Sequence, residues 1–125
     1  MKATELMIND WVLDGKKPAQ ITGIFCDDLF ETTISPSVSG DCLSPIPITP
    51  EILEQNGFVK QDYDGWQISE DNSRGLIEYR TDYFDGFLII SYTKKPFSKI
   101  SVKLKHVHEL QHALRLCKID KEITI

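Results

Sequence analysis

The fold turns on one stretch: His106-Val107-His108-Glu109-Leu110-Gln111-His112-Ala113-Leu114-Arg115-Leu116-Cys117. At about 100° per residue, Val107, Leu110, Leu114 and Cys117 fall within about 80° of one another, with Ala113 adjoining. An apolar stripe of that width is what a helix lays against a sheet. The stretch therefore reads as an amphipathic helix covering one face of a β-sheet. His108 and His112 lie roughly opposite the centre of the stripe, so both face away from that sheet.

Working back from the helix, Ile100, Val102 and Leu104 alternate with Ser101 and Lys103, the period-two pattern of a half-buried strand. Phe87-Leu88-Ile89-Ile90-Ser91-Tyr92 is the most hydrophobic run and is expected at the centre of the sheet. Leu76 to Arg80 and Trp66 to Ser69 supply further strands, separated by turn chemistry at Asp64-Gly65, Asp71-Asn72-Ser73 and Asp85-Gly86. Residues 58–104 thus read as four antiparallel strands, whose aromatic residues belong to the sheet core. Upstream, Thr49-Pro50-Glu51-Ile52-Leu53 opens a short helix, with Thr at the N-cap, Pro in the first turn and Glu at the positive end of the dipole. Asn56-Gly57 stops it.

Pro36, Pro45, Pro47 and Pro50 fall within residues 35–50. Ser44 to Ile48 cannot be a central strand, because proline has no N–H to give the ladder. It reads as a rigid crossing between two halves. Before it, Met7–Val12, Gln20–Phe25 and Leu29–Ile34 read as short strands, with a turn at Asp14-Gly15 and a bulge or close approach at Gly23. They make a meander or a partial SH3-like barrel. The expectation is an α+β protein. Residues 1–44 form the small β unit, residues 45–125 an antiparallel sheet covered by the C-terminal helix, and the two share one core.

The totals bound the function. A chain of 125 residues, 41% hydrophobic and 26% charged, has the composition of one globular domain. Its net charge of −5 argues against nucleic acid as a general partner. Lys94, Lys95, Lys99, Lys103 and Lys105 nonetheless cluster, and such lysines also discourage edge-to-edge aggregation of a strand. Cys26, Cys42 and Cys117 form no C-x-x-C pair, which fits reduced thiols in a cytoplasmic protein. No window approaches the roughly eighteen apolar residues of a membrane span, and the N-terminal residues lack the apolar core of a secretory signal. No cofactor-binding glycine motif is present.

His108-Glu109-Leu110-Gln111-His112 is a literal H-E-x-x-H. In zinc peptidases two histidines at i and i+4 share a helix face and bind one ion, and the Glu is general base on the bound water. His108 and His112 are therefore the candidate metal ligands. A third ligand is missing from the pattern. The longer motif asks for glycine and then histidine where Arg115 and Lys118 stand. His106, Asp82, Asp85 and Glu122 are the remaining donors considered. The expectation is that the histidines belong to a polar helix face, with no catalytic residue assigned.

Three stretches together resemble a family of short uncharacterised proteins of Bacteroides-type bacteria. Lys2-Ala3-Thr4-Glu5-Leu6 with Asn9-Asp10 is similar to that family's opening. Pro45-Ile46-Pro47-Ile48-Thr49-Pro50-Glu51-Ile52-Leu53 with Gly57-Phe58 resembles its middle, and His108-Glu109-Leu110-Gln111 with Lys121-Glu122-Ile123 its closing helix and tail. The resemblance covers both ends and the middle; residues 60–98 match in general character only. It implies association with prophage or mobile-element regions and brings no known activity. In the family's closing pattern, Gln and Asn commonly stand at the positions of Glu109 and His112. The chain departs from the pattern at Asn9 and Asp120, where the family has glycine. Three functions are expected in order: a non-catalytic cytoplasmic module binding another protein or itself, a zinc-dependent hydrolase using residues 108–112, and a nucleic-acid-binding accessory protein.

Overall fold

A computed structural model describes residues 1–69, 75–81, 86–92 and 98–125. The expected turn at Asp71-Asn72-Ser73, the donors Asp82 and Asp85, and Lys94 and Lys95 lie outside the described residues.

β1 (Trp11–Asp14) and β2 (Lys17–Cys26) form a hairpin, and Gly15 in its two-residue turn takes φ +65°, which glycine enters at little cost. β2 pairs with β3 (Leu29–Thr32), and β3 with β4 (Val38–Ser39). A 3-10 turn at Gly40–Cys42 then returns the chain as β5 (Leu43–Pro45), which pairs with the free edge of β1. The order is β4-β3-β2-β1-β5. A plain meander would have left β5 beside β4; the return to β1 is the strand order of SH3-like barrels. The β2–β3 register shifts on both sides of Gly23 and Ile24, so the expected bulge is present. A Cβ at Gly23 would sit 3.1 Å from that of Glu31.

The first strand begins later than its sequence suggests. Residues 7–10 turn instead of extending: Asn9 takes φ +75°, and the Met7 N–H donates to the Asp10 carboxylate at 2.7 Å. The hydrogen bond to the short Asp side chain outcompetes ladder formation. Leu6, Val12, Ile21, Phe30 and Leu43 fill the core of this unit.

The proline crossing docks on the start of the C-terminal helix. Val107 N–H donates to Ile46 O and Ile48 N–H to Lys105 O, both at 2.9 Å. α1 (Pro50–Gln55) starts where expected, with Thr49 Oγ1 accepting the Ile52 N–H at 3.3 Å. Gly57, at φ +90°, follows its end.

The second sheet has five strands rather than four, because Val59–Lys60 also pairs. β6 (Val59–Lys60), β7 (Gly65–Ser69), β8 (Gly75–Arg80), β9 (Phe87–Tyr92) and β10 (Ser98–Lys103) form an antiparallel meander. The central strand is β8; β9, expected there, lies next to the edge strand. Its hydrophobicity reflects burial on both faces, since Leu88 and Ile90 are buried and Phe87 and Ile89 half-buried. Register places Trp66, Tyr79, Leu88 and Val102 in one row across the sheet, and Ile68, Ile77, Ile90 and Ile100 in the next row of the same face.

α2 (Val107–Leu116) covers that face with Val107, Leu110 and Leu114, none more than 1% exposed. Trp11 and Leu13 of β1 pack against the same core, so the helix touches both sheets. Beyond α2 the tail folds back, with Ile119 and Ile123 buried. Gln111 accepts the Ile123 N–H at 2.7 Å and donates to Lys121 O at 2.9 Å, while Asn56 exchanges two 2.8 Å bonds with the Thr124 backbone.

Candidate functional site

The polar face of α2 is not a solvent face. It turns toward the Met7–Asp10 turn, and Asp10 is fully buried beneath it. His112 Nε2 lies 2.7 Å from Asp10 Oδ2, and Arg115 donates to Asp10 Oδ1 at 3.4 Å. With the Met7 N–H this gives the carboxylate three partners. Positions 112 and 115 are neighbours on one helix face, so a single carboxylate spans both. A buried charge persists only when paired in this way. Arg115 also reaches Glu122 of the tail at 3.5 Å.

His108 sits one turn earlier and is 7% exposed, and its Nδ1 has no hydrogen-bond partner. Burial pushes its pKa below the ordinary 6.5; the Asp10 and Glu109 charges pull it up by less, while His112 and His106 push it further down. The ring is therefore neutral near neutral pH. Its neighbours are aromatic: His106 stacks on it with centroids 5.9 Å apart, and His112 meets it edge-on at 5.7 Å.

Glu109, the would-be general base, serves the helix start. Its Oε1 accepts the N–H groups of His106 at 3.1 Å and Lys105 at 3.3 Å, and lies 2.7 Å from His106 Nδ1. Burial alone would raise its pKa, but these hydrogen bonds and the His106 ring outweigh it and hold the carboxyl below its ordinary 4.5. The three histidines and Glu109 line a cleft of about 380 Å³ that Thr4 and Glu5 close from the N-terminal side.

The i, i+4 geometry of the motif is thus real, but Glu109 and His112 have other bonds. His108 and His112 come together; His112 spends one ring nitrogen on Asp10, and His106 spends one on Glu109. Glu122 is held at Arg115. Among the described residues no three His, Cys, Asp or Glu side chains form a metal-binding group. Asp10 and Arg115 are the partners that sequence reasoning missed. The only signal was a histidine and an arginine three apart, opposite the apolar stripe.

A second feature lies on the other side of α2. Leu88, Ile90, Ile100, Val102, Ala113 and Leu116 line an entirely apolar groove of about 190 Å³ between the helix and β10. Its rim is open. Ile100 is 44%, Val102 39% and Leu116 84% exposed, although Ile100 and Val102 lie on the covered face of the sheet. The helix is too narrow to reach the edge strand. No helix among the described residues is long and apolar enough to cross a membrane. Comparison with protein-family models, curated proteins and solved structures returns no match to this chain.

Proposed function

We propose that this chain is a non-catalytic cytoplasmic interaction module that holds another polypeptide on its second sheet. One observation carries the reading: an apolar groove stands open beside an edge strand, in a fold whose Glu109 and His112 are engaged in internal bonds. Aliphatic surface left uncovered at a sheet edge is what a protein-binding site exposes before its partner arrives. The resemblance to short proteins of mobile-element regions belongs to the same proposal, as it concerns a family without known catalysis. The test is a photo-crosslinking residue placed at Ile100, with Thr22 on the first sheet as control, in cells making the protein. A discrete adduct at 100 and none at 22, with sedimentation across a wide concentration range to separate partner from second copy, supports the reading. Equal background at both positions overturns it.

A further inference from the structure

The edge beside the groove has a particular chemistry. β10 ends its sheet, so the backbone groups on its outer side meet no further strand among the described residues. Such an edge is a template for an added strand. Its side chains alternate: Ile100 and Val102 point to the groove, and Lys99, Ser101 and Lys103 to the opposite face. Residues 94–105 hold five lysines and no acid, in a chain whose net charge is −5. Lys103 and Lys105 also take part in contacts within the chain, so Lys99 is the lysine of β10 on which the test below turns.

Resting on the interaction reading above, we infer that β10 accepts an extended segment of another protein in which aliphatic and acidic residues alternate. An added strand has period two. Its aliphatic side chains extend the row of Ile100 and Val102 and cover Leu116, while its carboxylates fall on the lysine face. A second copy of this chain fits less well. Pairing edge to edge with Ile100 opposite Val102 sets Lys99 opposite Lys103, and like charges in that position destabilise a sheet. Single-stranded nucleic acid binds by stacking its bases on aromatic rings, and only aliphatic side chains and Cys117 line this groove.

The experiment uses the full chain and three fluorescent synthetic peptides: alternating Glu-Val, alternating Lys-Val, and the Glu-Val composition in block order. A labelled oligonucleotide of matching charge completes the set. The alternating Glu-Val peptide is expected to bind saturably and at least about tenfold more tightly than the other two, a gap of about 1.4 kcal/mol. Lys99→Glu should shift preference toward the Lys-Val peptide. Leu116→Asp should remove binding with its thermal melt unchanged. Tighter binding of the oligonucleotide, or equal binding of alternating and block peptides, overturns the inference. So does concentration-dependent self-association that Leu116→Asp abolishes in the absence of peptide. If no peptide binds but the Ile100 crosslink persists, this inference falls and the interaction reading stands; if both fail, both fall.

Discussion

Asp10 is the residue on which the two sheets depend. Its carboxylate is fully buried and holds His112, Arg115 and the Met7 N–H. Asp10→Ala leaves the Arg115 guanidinium and the His112 ring without their shared acceptor under the helix, and a loss of about 3–5 kcal/mol is expected in urea unfolding. His112→Ala leaves Arg115 on the carboxylate and should cost less, about 1–3 kcal/mol. The double variant should fall short of the sum, because both changes break the same bond. His108 adds a pH dependence. Its folded-state pKa lies below 6.5, so the unfolded chain takes up the proton first as pH falls. Stability from this residue is complete above 6.5 and is lost as pH falls through the folded value. Glu109, held below 4.5, contributes above its unfolded value and loses that contribution at lower pH, so both act in the same direction. Stability should therefore begin to drop as pH falls below 6.5, through His108 first, and His108→Gln should flatten that slope. An unchanged slope in that variant would assign the acid sensitivity to other groups.

The elements show where a sequence speaks for itself. α2 ends with Lys118 N–H on Arg115 O and Ile119 N–H on Leu114 O, and Lys118 takes φ +58° in the position usually held by glycine. Lys118→Gly should raise stability by about 1 kcal/mol in thermal or urea unfolding, since a side chain in that region is strained. Gln111→Ala should leave α2 in place but free the tail, seen as faster hydrogen exchange at the Ile123 amide, whose acceptor it removes. Local signals were legible. Thr49 and Pro50 marked the start of α1, Asn56-Gly57 its end, Gly23 a bulge, and the 107–110–114 stripe the buried face of α2. Strand neighbours were not. β8 holds the centre of its sheet although β9 is the more apolar, because position is set by the order of hairpins while hydrophobicity records burial on each face. The turn at Asn9-Asp10 was read as strand, since its cause is one side-chain hydrogen bond and a contact to residue 112.

At the scale of the molecule, α2 lies with its apolar face on the second sheet and its polar face on the turn that leads into the first. The wheel showed that His108 and His112 point away from one sheet. It could not show that they point toward another, because that depends on where the proline crossing sets the first unit. The same packing bears on the H-E-x-x-H string. With Glu109 on the helix start and His112 on Asp10, protein purified without tag or chelator should carry less than about a tenth of an equivalent of zinc by elemental analysis. A full equivalent, lost in His108→Ala, would reverse that assignment. Asp10 and His112 also stand 102 residues apart, so the first is made well before the second. The first sheet leaves the ribosome long before His112 and Arg115 exist, and until then the carboxylate faces water and the side of β1 that meets α2 is open. A chain halted before residue 112 carries this unfinished joint exposed, where proteases and chaperones can find it. Closing this joint waits, for this protein, on the making of the helix that carries residue 112.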